Sequence, residues 1–256
     1  MENLTLRQNE RIDDLQCKGL KIIQNKDWFC FGMDAVLLAN YCDIKKNSTV
    51  VDLGTGTGII PVLLCGKNEV KKIYAVEIQE EVAEMANRTV LLNNLEEKIE
   101  IVNIDLKEAV EKLGVNKFDV VTSNPPYMNC GSGLQNKQDK KTISRHEVKC
   151  DLEDVIKVAS RLLKHNGKFF LVHRPNRIVD IFTLLRQYKL EPKNIRFIYP
   201  KVGERPNLVL IKSIKASKPD LKFEEPLYVY DDRGNYTDEI LKIYGMDKEV
   251  KEDKNG

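Results

Sequence analysis

The chain has 256 residues, 42% hydrophobic and 31% charged, with 41 Lys+Arg against 39 Asp+Glu for a formal net charge of +2. That balance excludes a disordered chain, and the lack of any apolar run near about 18 residues excludes a spanning helix. Six cysteines without CxxC spacing, three scattered histidines and a polar N-terminus predict reduced thiols, no metal site and a cytoplasmic protein.

In chain order, residues 18–31 predict a hairpin, with apolar arms at 20–24 and 28–31 and Asn25-Lys26-Asp27 as the turn. A helix follows over 33–41, with Asp34 in its first turn. The β-branched run STVVDL (48–53) reads as a buried parallel strand that stops at Gly54. A helix at 59–65, a strand at 72–77, a helix at 79–93 and strands at 99–103 and 118–123 continue the alternation. Asp151 is the expected N-cap of a helix over 152–163 that closes at Asn166-Gly167. A strand at 168–173 and a helix at 178–188 precede two strands, 195–199 and 208–214, whose connection is too short for a crossover helix. Five strands alternating with helices imply a parallel α/β sheet, and the last pair implies an antiparallel member.

Charge is segregated. Residues 137–218 hold 20 Lys+Arg against 8 Asp+Glu, so the remainder of the chain carries the compensating negative charge. A basic face that meets a polyanion is the expectation, with a solvated lysine-rich surface as the simpler alternative.

The strongest local signal is Asp52-Leu53-Gly54-Thr55-Gly56-Thr57-Gly58, between a strand and a helix. Alternate glycines let the backbone turn sharply and lie against a ligand. A dinucleotide fingerprint would need glycine at the sixth position, where Ile59 stands. The pattern instead resembles the first motif of class I S-adenosylmethionine-dependent methyltransferases. The resemblance implies a Rossmann-like α/β fold with a mostly parallel seven-stranded sheet, a C-terminal antiparallel hairpin and helices on both faces. It also implies S-adenosylmethionine as cofactor, held by Asp52, Gly54, Thr55, Gly56 and Gly58. Glu77 would accept from the ribose hydroxyls, Ile78 would pack on the adenine, and Asp105 would accept from the adenine amino group.

After the fourth sheet strand stands Asn124-Pro125-Pro126-Tyr127. It resembles the motif of enzymes that methylate planar nitrogens, nucleobase amines or a glutamine amide. The chemistry needs these residue types. Such a nitrogen has a delocalised lone pair, and two acceptors, the Asn124 side-chain oxygen and the Pro125 carbonyl, can hold its N–H groups and free that pair. The paired prolines stiffen the backbone, and Tyr127 offers a ring to an unstacked base. Asn124, Pro125 and Tyr127 are therefore the expected catalytic residues.

The segment Phe29–Ala39, FCFGMDAVLLA, is similar to the one preceding the glycine motif in bacterial tRNA adenine-N6 methyltransferases, which modify adenine 37 beside the anticodon of a valine tRNA. Ser144-Arg145-His146-Glu147, Val172-His173-Arg174-Pro175 and Pro226-Leu227-Tyr228-Val229-Tyr230 extend the similarity. It adds Phe31, Asp34 and Asn124 to the cofactor set and implies tRNA, through its anticodon stem-loop, as partner. The RNA-contacting candidates are Tyr127, Lys137, Lys140, Lys141, Arg145, His146, Arg174, Arg177, Lys201 and Arg205. The division expected is a hairpin-and-helix extension over 1–47, the methyltransferase domain over 48–245 and a charged tail over 246–256. A glutamine-amide enzyme, a methyltransferase of another nucleobase and a non-catalytic RNA-binding module remain alternatives, and monomer or homodimer is left open.

Overall fold

A computed structural model describes residues 6–28, 32–127 and 151–246. Its chain begins with a hairpin of β1 (Glu10–Asp14) and β2 (Lys21–Asn25), followed by α1 (Met33–Tyr41). The alternating part comprises β3 (Thr49–Leu53), α2 (Ile59–Lys67), β4 (Lys72–Glu77), α3 (Glu80–Leu92), β5 (Ile99–Asn103), α4 (Ala109–Leu113) and β6 (Phe118–Ser123). Then come α5 (Leu152–Leu162), β7 (Leu163–His173), α6 (Ile178–Gln187), β8 (Leu190–Tyr199) and β9 (Leu208–Lys215). Two short strands, β10 (Lys222–Phe223) and β11 (Leu227–Tyr228), and α7 (Asp238–Ile243) complete it.

The seven long strands lie in the order β8-β9-β7-β6-β3-β4-β5, all parallel except β9, which runs against both neighbours. The expected seven-stranded sheet is thus present, and β10 and β11 widen it to nine by pairing parallel to β8. Adjacent side chains on one strand point to opposite faces. Val50 and Phe170 accordingly enter the core under α1 and α2, while Val51 and Phe169 enter the core under α4, α5 and α6. Burial on both faces is why these strands read as continuous apolar runs.

Three boundaries differ from expectation. The hairpin lies one strand earlier: residues 21–25 are its second arm, paired with Glu10–Asp14. The first arm has no apolar face to reveal it, since Ile12 is 40% exposed. A two-pronged ion pair from Arg88 to Glu10, at 2.6 and 2.7 Å, ties that arm to α3. Asn166-Gly167 does not close a helix. α5 ends at Leu162, β7 starts at once, and Asn166 sits inside the strand at φ +60° beside a register shift against β6. β8 begins five residues early, at Leu190, and absorbs Pro192 at another register shift.

The sheet order places the site. From β3 the chain moves outward through β4 and β5, then returns to lay β6 against the other side of β3. Ligands of open α/β sheets bind beyond the carboxyl ends of the strands where the order reverses. That point lies between β3 and β6, the strands that end in the two motifs.

Candidate functional site

Gly54, Gly56 and Gly58 follow β3 with φ values of +73°, +58° and +87°, the left-handed region that glycine enters at no steric cost. The Gly54 and Thr55 N–H groups donate to the Val76 carbonyl at 3.0 and 2.9 Å, which ties the loop to the end of β4. Glu77 ends β4 and is buried. One of its oxygens accepts from the Gly56 N–H and the other from the Gln79 N–H, both at 3.0 Å. Burial raises its carboxyl above the usual range, and those two N–H bonds oppose the rise. A carboxylate oxygen has two lone pairs and no donor, so Glu77 is a group that can accept from ligand hydroxyls.

Asp52 is fully buried and faces Thr122 on the neighbouring strand, whose hydroxyl donates to Oδ1 at 2.6 Å. Its Oδ2 and the buried Thr55 hydroxyl have no partner of full hydrogen-bond geometry among the described residues, though the two side chains lie close enough to interact. Burial pushes the Asp52 carboxyl up to about 6, against the Thr122 and Thr55 hydroxyls that lower it. Buried polar groups without well-formed bonds are costly and uncommon, so the two make a poorly satisfied polar pair at the base of the loop. A Cβ built on Gly54 or Gly56 meets nothing within 4 Å, so the loop borders open space. The open loop and the Asp52 and Glu77 carboxyl groups together fit a ligand that offers both hydroxyls and a cation.

Ile78 is 46% exposed, an apolar side chain presented at the strand end. Asn103 fixes its backbone by donating from Nδ2 to the Glu77 and Ile78 carbonyls at 2.8 and 3.1 Å. Asp105 caps the short 3-10 turn at residues 106–108, its Oδ1 accepting from the Lys107 N–H at 2.9 Å.

The other wall follows β6. Asn124 is half-buried, Pro125 buried, and the Tyr127 hydroxyl reaches both Asn124 Oδ1 and Asp34 Oδ2 at 2.8 Å. Burial, then the Asp34 charge, push the Tyr127 hydroxyl well above the usual tyrosine range, so it stays a phenol. The Arg174 guanidinium stands over the ring, 4.8 Å from its centre, and His173 meets the ring edge-on at 5.2 Å. A cation over a ring face is an attractive contact. It also narrows the expectation for Tyr127, because Arg174 occupies one face of the ring and the ring packs against the apolar core under α1 and α2.

His173 stands in one of the matching segments but is given no role by the sequence. It is buried, its Nδ1 accepts from the Arg174 N–H at 2.8 Å, and burial lowers its pKa to about 4. It is therefore neutral and structural. Thr122 and Asn103 were also missed. Each is an ordinary strand residue in the sequence and gains a role only by lying opposite Asp52 or beside Glu77.

Of the expected RNA contacts, Arg174 is exposed and donates to the Asn207 carbonyl at 3.0 Å, which joins it to the loop carrying Lys201 and Arg205. Lys201 and Arg205 are exposed, Lys201 beside Glu204 at 3.5 Å. Arg177 instead pairs with Asp180 at 2.7 Å. Lys137, Lys140, Lys141, Arg145 and His146, together with Phe31, lie outside the described residues. A separate depression lined by Asp43, Ser48, Asp119, Lys164 and Lys168 sits at the opposite ends of the strands, where those charges pair with one another. No described helix is long and apolar enough to cross a membrane.

Comparison with known proteins agrees with this geometry. The model of the family described as "Methyltransferase small domain" matches residues 32–189. A tRNA1(Val) (adenine(37)-N6)-methyltransferase of Bacteroides fragilis is 28% identical over 228 residues, 89% of this chain and 94% of that protein. One of Haemophilus influenzae, with the same name, is 24% identical over 229 residues, 88% of this chain and 94% of that protein. Among solved structures, an Agrobacterium tumefaciens protein described as a predicted O-methyltransferase superposes with a TM-score of 0.68 at 24% identity, covering 84% of this chain and 97% of that one. A geranyl diphosphate methyltransferase gives 0.54 at 14% identity, covering 72% and 78%. These two likenesses establish the fold alone.

Proposed function

Because the chain belongs to the methyltransferase small domain family, we propose that it transfers a methyl group from S-adenosylmethionine to the exocyclic N6 of adenine 37 in a valine tRNA, in the cytoplasm. The observation that carries the reading is the placement of Asn124-Pro125-Pro126-Tyr127 at the end of β6, adjacent to the β3 strand that ends in the glycine loop. The names of the Bacteroides and Haemophilus relatives, which match over most of their length, supply the substrate.

When bound, S-adenosylmethionine supplies an electrophilic methyl group on a sulfonium. Glu77 would hold its ribose hydroxyls, Ile78 would cover the adenine, Asp105 would accept from the adenine amino group, and Asp52 with Thr55 would face its charged amino-acid end. The chain's other task is to make a poor nucleophile reactive. The Asn124 side-chain oxygen and the Pro125 carbonyl accept the two N–H groups of the target amine, which turns its lone pair out of conjugation. Tyr127 borders the base. No strong base is needed, since the nitrogen becomes acidic once alkylated and its proton passes to water. Positioning supplies most of the rate. Loop adenines are already partly unstacked, so extracting one costs less than flipping it from a duplex. Lys201, Arg205 and Arg174 would meet backbone phosphates, as would the basic residues between 137 and 145.

A methyl-transfer assay with radiolabelled cofactor, run on unmodified total tRNA and on release factor, tests the proposal. Label in tRNA, mapped to an adenine N6, is the expected result. Label on protein alone would replace the substrate, and label on neither would point to a binding module.

A further inference from the structure

Two polar side chains, Asp34 of α1 and Asn124 at the end of β6, meet at the Tyr127 hydroxyl. Tyr127 Oη lies 2.8 Å from Asp34 Oδ2 and 2.8 Å from the Asn124 side-chain amide. A phenol carries a single proton, so it can donate to only one of them. The carboxylate is the stronger acceptor. It is also anchored, because Asp34 Oδ1 accepts from the Ala35 N–H at 2.9 Å in the first turn of α1. Gly32 leaves room for it: a Cβ there would stand 2.8 Å from Asp34 Oδ1.

With its proton turned toward Asp34, the phenolic oxygen presents only lone pairs to Asn124. An amide oxygen at 2.8 Å would then oppose acceptor to acceptor, whereas the amide nitrogen in the same place makes a hydrogen bond. A half-turn of the amide exchanges the two atoms, and the surrounding donors and acceptors decide which arrangement holds. We infer that Asp34 is a positioning residue acting through Tyr127: by taking the phenolic proton it makes Tyr127 accept from Asn124 Nδ2–H, which commits Asn124 Oδ1 to the target amine. Without Asp34 the phenol donates to Asn124 Oδ1 instead. The amide then turns an NH2 group toward a substrate NH2 group, and donor meets donor. The inference rests on the proposed function for what Asn124 grips, but not for the direction of the hydrogen bonds.

The test compares Asp34→Ala, Tyr127→Phe and the double variant in the full chain. Each single change should lower kcat for tRNA methylation about ten- to a hundredfold. The double variant should be no worse than the poorer single one. S-adenosylhomocysteine affinity and KM for tRNA should stay within about threefold. Losses that multiply, or a cofactor affinity that collapses in Asp34→Ala while kcat at saturation is normal, would overturn the relay; the latter would make Asp34 a cofactor ligand. A second readout needs no substrate. The Asn124 side-chain NH2 resonance, assigned by its loss in Asn124→Asp, should move in both single variants. An unmoved signal overturns the relay, whereas a moved signal in a protein that labels no tRNA supports it and counts against the functional reading alone.

Discussion

The two walls of the candidate site are built by different means. The β3–β4 wall is mostly backbone: three left-handed glycines, two N–H groups on the Val76 carbonyl, and a Glu77 carboxylate held by the Gly56 and Gln79 N–H groups. The β6 wall is made of side chains that arrive separately, Asp34 from α1, Tyr127 after β6, and His173 and Arg174 from the end of β7. A backbone wall tolerates changes around it but not residues that resist its left-handed conformation. A side-chain wall tolerates backbone neighbours but fails when one member of its network is lost. Binding and chemistry should therefore be separable by mutation.

Asn124→Ala is the sharpest way to separate them. It should lower kcat about 100- to 1000-fold, the scale for losing one preorganised polar contact at a reacting group. S-adenosylhomocysteine affinity by calorimetry should change no more than a few-fold, and a matching loss of affinity would erase the distinction between the walls. The converse variant is Gly56→Val. A β-branched residue at φ +58° costs about 1–2 kcal/mol of stability, and its side chain projects toward the open space beside the loop. Cofactor affinity should drop tenfold or more, and unchanged affinity would remove the loop from the binding site.

Asp52→Asn probes the backbone wall through pH. The folded-state pKa of about 6 lies above the ordinary 3.8, so the folded protein holds this proton more tightly than the unfolded chain does. Stability therefore falls as pH rises from about 4 to 6, and the full penalty is present above 6. Asparagine has no such proton to lose. Thermal melts of the unliganded protein should show the variant more stable at pH 7.5 by on the order of 1–3 kcal/mol, with the difference shrinking toward pH 4. A difference independent of pH would rule out the burial of charge as its cause. The smallest effect belongs to the rim. Lys201→Ala with Arg205→Ala should weaken tRNA binding several-fold and flatten its logarithmic salt dependence by about 1–2, with cofactor affinity untouched. An unchanged salt slope would take these two residues off the RNA path.

The same contrast explains what was legible in the residues. Short β-branched runs ending in Gly54 or Asn124 announced buried parallel strands and the loops that follow them, because strand burial and turn chemistry are local. The β1 arm was missed because it is held by an ion pair to Arg88 rather than by an apolar face. Asn166-Gly167 read as a helix end but lies in a bulge of β7, where pairing with β6 jumps from Leu163 to Lys168 and Asn166 keeps a left-handed turn conformation.

The sequence by itself determined which residues can bend without a Cβ, which can accept two N–H groups, and that strands alternate with helices; those are properties of residue type and near-neighbour spacing. Only the tertiary structure decided that Asp34 meets Tyr127 across 93 residues, that Arg174 covers one face of that ring, and that Thr122 stands against Asp52. Contacts at such separations leave no periodic trace in the chain. They exist because the sheet reverses its order between β3 and β6 and brings the ends of unrelated segments to one place.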